Sequence, residues 1–217
     1  MPTTIYLIRH AESAHNVTKD FSLRDPGLTA QGFVQASSLA TTFSALASTA
    51  VILTSPLRRT IETTLAGFGG IFNNTDNKKK AVELILDPDL QERSDLPCDT
   101  GSDPSTLKSL FPDLDFNGSV LADGWWAKEG RFAADDAAVA ARAAAVRKRI
   151  AEVVKRLESE EGSEEKRDVV VVTHGVFMKF LTGDEGIDLP KAGWKAFTLG
   201  EGKGQGEGEG EVVLVPV

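Results

Sequence analysis

Cysteine is nearly absent from this chain of 217 residues, where Cys98 stands alone. One thiol cannot form an intrachain disulfide, a cysteine-rich zinc site or an iron–sulfur cluster, and its isolation suits a reducing compartment. Long apolar runs are missing too. Met1-Pro2-Thr3-Thr4 leads straight into Ile5-Tyr6-Leu7-Ile8 without the basic start and extended apolar stretch of a signal peptide, and nothing later is long enough to span a bilayer. A soluble, cytoplasmic protein with no membrane partner is the expectation. Basic charge is also short. The 24 Lys and Arg against 32 Asp and Glu leave a formal net charge of -8, which opposes a broad nucleic-acid-binding face and still permits a small basic pocket for an anion. Oligomeric state is left open by these features.

What is present is enough apolar material, 41% of residues, to bury a full core in one domain over 1–217. Short β-rich runs at Ile5 to Ile8, Val51 to Leu53, Val82 to Leu86 and Val169 to Val172 read as buried strands. Helical patterns separate them, which predicts an α/β fold: a three-layer α/β/α arrangement with a mainly parallel central sheet. Ala36, Leu39, Ala40, Phe43 and Leu46 keep helical spacing after Leu28-Thr29, and Ser55-Pro56 offers an N-cap and a first-turn proline for a second helix. A long helix is expected from about Ala134 to Glu161, with Asp135 and Asp136 at its positive end and Glu152 placed to pair with Arg156. Residues 93–131 are rich in Asp, Pro, Gly and Ser but carry Leu107, Leu110, Phe111, Trp125 and Trp126, so a lid-like insertion that packs on the domain is predicted. Trp194 to Leu199 and Val212 to Val215, joined by the Gly/Glu-rich run Gly200 to Glu211, suit a C-terminal antiparallel hairpin.

Chemistry concentrates where strands end. Arg9-His10 follows the first strand, Thr173-His174-Gly175 follows the Val169 to Val172 strand, and Ser55-Pro56-Leu57-Arg58-Arg59 follows Val51 to Leu53. In open α/β sheets ligands bind beyond the carboxyl ends of the strands, where helix N-termini also offer amides to anions, so the two distant histidines can meet. Arginine grips phosphate with a planar donor fork that stays charged. A histidine with one nitrogen held by a hydrogen bond and the other unprotonated can attack phosphorus, and a carboxylic acid can protonate the departing alkoxide. His10 fits the nucleophile. Arg9, Arg59 and His174 fit stabilisation of the phosphoryl oxygens, and Glu92, past the Val82 to Leu86 strand, fits the acid.

These residues resemble the histidine phosphatase superfamily, in its phosphoglycerate mutase-like branch. The opening signature is similar to Leu7-Ile8-Arg9-His10-Ala11-Glu12-Ser13 with Asn16 following, and the next block to Asp25-Pro26-Gly27-Leu28-Thr29-Ala30-Gln31-Gly32. Thr54-Ser55-Pro56-Leu57-Arg58-Arg59-Thr60, Leu90-Gln91-Glu92 and Val172-Thr173-His174-Gly175 complete the family's order. The resemblance implies His10 as nucleophile, His174 as second catalytic histidine, Glu92 as proton donor, and Arg9, Arg59, Asn16 and Gly175 as phosphate-binding residues. In this register Arg59, not Arg58, holds the phosphate. Ala11 replaces the commoner glycine after the nucleophile, a small-for-small change. Leu96 to Ser102 looks like the segment of fungal phosphomutase-like and phosphatase members, and the longer insertions of glycolytic mutases are missing.

The predicted activity is metal-independent hydrolysis of a phosphomonoester through a phosphohistidine, with a small phosphorylated substrate and no cofactor. Phosphoglycerate mutase-like transfer and a non-catalytic phospho-ligand binding module are the alternatives. A metal site on His10, Glu12 and His15 is disfavoured because the i, i+4 histidine pair of a zinc helix is missing. His15 reads as a rim residue, Cys98 as an unreactive thiol, and Trp125 and Trp126 as packing.

Overall fold

The first strand, β1 (Ile5–Arg9), lies in the middle of a six-stranded sheet whose order is β3-β2-β4-β1-β5-β6. The computed structural model describes residues 3–72, 81–114, 121, 124–159, 167–202 and 211–217. β2 (Thr49–Thr54), β3 (Glu83–Leu86) and β4 (Asp168–Thr173) run parallel to β1. β5 (Trp194–Gly202) and β6 (Glu211–Pro216) are antiparallel at the far edge. The fold is thus α/β with a mostly parallel sheet and an antiparallel C-terminal pair.

Continuous apolar strands are the mark of a sheet covered on both faces. Ile5, Leu7, Val51, Leu53, Val169 and Val171 pack on one side, against Val139, Val146 and Ile150 of α5 (Asp136–Ser159) and Phe177, Met178 and Leu181 of α6 (Gly175–Thr182). Ile8, Ile52, Val170 and Val172 pack on the other, against α2 (Ala30–Thr42) and α3 (Arg58–Phe72) through Ala36, Leu39 and Phe68. A short helix, α1 (Ala14–Thr18), follows β1. Among the described residues no helix is long and apolar enough to cross a membrane.

The register aligns the strand ends. Arg9 lies opposite Thr173, and Thr54 opposite both Val172 and Leu86. Hence His10, Ser55, Asp87 and His174 leave the sheet along a single edge.

Several elements differ from the sequence-based expectation. α3 starts at Arg58, not at Ser55-Pro56. Ser55 Oγ accepts from the Leu57 N–H at 3.3 Å, just ahead of the helix, and also faces His174, while the Arg58 N–H donates to Asp25 Oδ1 at 2.8 Å. α2 ends at Thr42, leaving Leu46 outside it, and β3 begins at Glu83, one residue after Val82. Arg156 reaches Glu83 of β3 at 2.5 Å, not Glu152, and residues 160–161 of the expected long helix lie outside the described set. The terminal strands run further than their apolar cores. Gly200 pairs with Val213 and Gly202 with Glu211, because glycine lets the Val213 and Val215 side chains close over it. Only 203–210 of the Gly/Glu-rich run falls outside the description.

Within 93–131, α4 (Pro104–Leu110) and Trp125 form a third cluster with Leu57, Ile61 and Leu86. Trp125 is fully buried, its ring seated on Gly101, where an added Cβ would fall 2.2 Å from the indole.

Candidate active site

His10 is drawn to the sheet edge by its N–H, which donates to the Thr173 carbonyl at 3.0 Å, and its ring is 4% exposed. Nδ1 lies 2.7 Å from the Ala11 carbonyl. A carbonyl can only accept, so the proton belongs on Nδ1 and Nε2 keeps its lone pair. Burial, followed by the Arg59 and Lys191 charges, holds the imidazole pKa well below its ordinary 6.5 against the Ala11 hydrogen bond, which works the other way. The ring is neutral.

His174 follows β4 in the same manner and brings its ring centroid to 5.2 Å from that of His10. Arg59 Nη2 donates to His174 Nδ1 at 3.1 Å, which places the proton on Nε2, and Nε2 meets Ser55 Oγ at 2.9 Å. Both nitrogens are therefore bonded to protein. Burial first, then Arg59, keeps this ring neutral as well.

Arg59 is 1% exposed and braced by Asp99 Oδ1 at 2.8 Å and the Cys98 carbonyl at 2.6 Å. With His174 included, three of the five guanidinium donors are spent on protein, leaving two. Arg9 directs Nη1 to Asp188 Oδ1 at 2.8 Å and to the Leu189 carbonyl at 2.6 Å, which leaves Nη2 and Nε. Arg58 turns away to Glu62 at 2.7 Å.

Glu92 sits at the N-terminus of α6. Its Oε2 accepts from Val176 N–H at 3.1 Å and its Oε1 from Phe177 N–H at 2.9 Å and Arg93 N–H at 2.8 Å. Those donors favour the ionised carboxylate, but burial, with the neighbouring Asp99 charge, outweighs them and raises its pKa. A raised carboxylic acid at a cavity wall can give up a proton to a leaving oxygen.

Arg9, His10, His15, Asn16, Arg59, Glu92 and Gly175 all line one cavity of about 700 Å³. His174 lies behind Arg59. Asn16 is already engaged: Oδ1 accepts from Ser13 N–H at 3.2 Å, and Nδ2 lies 3.0 Å from His15 Nε2. His15 is more than a rim residue, being 6% exposed with Nδ1 on Ser13 Oγ at 2.9 Å, and burial, then Arg59, brings its pKa down to about 4. Gly175 gives Arg9 room, since a Cβ there would lie 3.1 Å from Arg9 Nη2. Glu12 accepts from Thr29 Oγ1 at 2.7 Å. Burial pushes the Cys98 thiol up to about 11, which keeps it protonated.

Ser55, Asp99, Asp188 and Lys191 belong to this site and were not singled out by sequence reasoning. Ser55 drew attention only as a helix cap, and Asp99 lies inside a segment noted for its resemblance as a whole. Asp188 and Lys191 sit in a loop with no spacing signal at all.

The chain matches the model of the histidine phosphatase superfamily (branch 1) over residues 5–202. A probable phosphatase of Schizosaccharomyces pombe is 30% identical over 87% of this chain and 83% of its own length. A phosphoglycerate mutase-like protein of Arabidopsis thaliana is 26% identical over 85% of this chain and 75% of its own. The structure of a mycobacterial glucosyl-3-phosphoglycerate phosphatase shares the fold with a TM-score of 0.56 at 20% identity, covering 91% of this chain and 92% of that one.

Proposed function

The chain belongs to the histidine phosphatase superfamily, and from that premise we propose that it is a phosphoric monoester hydrolase working through a phosphohistidine on His10, without metal or cofactor. The observation that carries this reading is the His10 hydrogen bond to the Ala11 carbonyl, which leaves an unprotonated Nε2 among arginine donors that protein groups have not consumed. In the first step Nε2 bonds to phosphorus as the ester P–O bond breaks, and Glu92 delivers its proton to the leaving alkoxide. In the second, water attacks phosphorus, its proton returns to Glu92, the P–N bond breaks, and neutral His10 is regenerated. Nδ1–H stays on Ala11 throughout.

Arg9 and Arg59 hold the three phosphoryl oxygens as charge spreads over them. His174 acts chiefly by fixing Arg59, since both of its nitrogens are bonded. Asn16 and Gly175 complete the phosphate grip, one after releasing His15 or with its remaining amide proton, the other by leaving Arg9 unobstructed. The substrate is a small phosphorylated molecule, and of the lid-like insertion the stretch 93–99, which lines the cavity, is the wall that shapes its non-phosphate part. Hydrolysis is favoured over a mutase by the likeness to a probable phosphatase 30% identical over 87% of this chain.

Phosphate release from a phosphomonoester panel, with and without chelator, tests the reading. It predicts turnover indifferent to chelation and a loss of at least about 1000-fold in His10→Ala. Full activity in that variant, or rescue of a chelated protein by added metal, contradicts it. Formation of an isomeric phosphate ester without free phosphate identifies a mutase.

A further inference from the structure

Lys191 lines the same cavity as His10, Arg9 and Arg59 but plays no part in the chemistry above. The loop between α6 and β5 is built to present it. Ala192 N–H donates to the Arg9 carbonyl at 3.1 Å, Arg9 N–H to the Gly193 carbonyl at 3.0 Å, and Gly193 N–H to the Pro190 carbonyl at 2.9 Å. Ala192 is buried in the left-handed region at φ 56, a conformation that a residue with a Cβ keeps only where its surroundings impose it. Such local strain clusters at ligand sites, and here it fixes the residue next to Lys191.

The cations of the cavity divide into paired arginines and unpaired lysines. Arg9 is paired with Asp188 at 2.8 Å, Arg59 with Asp99 at 2.8 Å and Arg93 with Asp136 at 2.6 Å. Among the described residues, neither Lys191 nor Lys179, nearby on α6, makes an ion pair. Lys191 is part-buried, and desolvation, with Arg9 and Arg59 adding repulsion, brings its pKa down to about 7. A part-buried ammonium without a counter-ion is costly, and an anionic ligand removes that cost.

We propose that Lys191 binds a second acidic group on the substrate, so that the enzyme selects phosphomonoesters whose leaving group also carries an oxyanion, either a carboxylate or a second phosphate. This rests on the phosphatase reading above. Arg9 and Arg59 still have donors for the transferred phosphoryl group, and the cavity has room for a leaving group that reaches Lys191.

Matched substrates test it: 3-phosphoglycerate against glycerol 3-phosphate for the carboxylate, and propane-1,3-diol bisphosphate against its monophosphate for the second phosphate. Wild type is expected to favour at least one charged partner by about 10- to 100-fold in kcat/KM, mainly through KM, as befits one charge-assisted hydrogen bond. That ratio is expected to collapse towards one in Lys191→Met and to persist in Lys191→Arg. The pair that shows the preference identifies the acidic group. A wild-type ratio near one for both pairs, or a ratio unchanged in Lys191→Met, overturns the assignment while leaving phosphatase activity intact. If no phosphate is released from any substrate, the phosphatase reading fails, and calorimetric binding of the same pairs to His10→Ala still decides whether Lys191 discriminates.

Discussion

Glu92 illustrates how single residues here are set by opposing influences. Three backbone N–H groups favour its charge, while burial and Asp99 disfavour it, and the pKa ends above its usual 4.5. The acid form therefore persists to higher pH, and kcat/KM is expected to fall as pH rises through that raised value, with His10 already neutral on the acid side. Glu92→Gln should abolish this basic limb and lower the rate about 100- to 10000-fold. Asp99→Asn should move the limb to lower pH, because one of the causes raising Glu92 is removed, and should raise KM by loosening Arg59. A pH–rate series on the three proteins reads both effects. The role proposed for His10 could be anticipated from its position just after a strand, and that of Arg59 rather than Arg58 from the family register. Ser55 could not, because a serine before proline at a strand end reads as a helix cap until the His174 ring is seen 2.9 Å from its hydroxyl.

Elements meet at glycines whose importance depends on what lies across from them. Gly101 lies under the rigid Trp125 ring, which has no flexible end to move aside. Gly101→Ala should destabilise the protein by about 1–3 kcal/mol through overpacking, measured as a lower urea midpoint with an unchanged slope. The same reasoning explains where element boundaries escaped prediction. Hydrophobic periodicity located β1, β2, β4 and α5 well, since each is covered by packing that its own sequence anticipates. It stopped short at Leu199 in β5, because the strand continues through glycines that have no side chain to show a pattern. It placed α3 too early, because the group capping Arg58 belongs to Asp25, 33 residues away.

Across the whole molecule, the parallel register gathers residues from four distant segments at one sheet edge, and an acidic protein thereby holds a cationic cleft. That the residues following distant strands would converge was the part that the motifs made legible. The loops that complete the cleft, at 93–99 and 186–191, were not, because their contacts are long-range and their composition is ordinary for loops. Burying histidines as neutral rings also links the site to stability. His15 has a folded pKa of about 4 against 6.5 for an exposed imidazole, so the unfolded chain binds the extra proton between those values. Its contribution is fully present above about pH 6.5 and is lost as pH falls towards 4. Subtracting the denaturation free energy of His15→Gln from that of wild type should give a difference that is flat above neutrality and declines through this window. A flat difference throughout contradicts the assigned neutral ring.

The measurement closest to the central claim is a rapid quench after mixing excess enzyme with a 32P-labelled phosphomonoester, followed by peptide mapping. The account predicts a transient label, acid-labile and base-stable, on the peptide containing His10, formed before phosphate is released and missing in His10→Ala. Phosphate released at the wild-type rate with no such label, or a label that survives in His10→Ala, contradicts it.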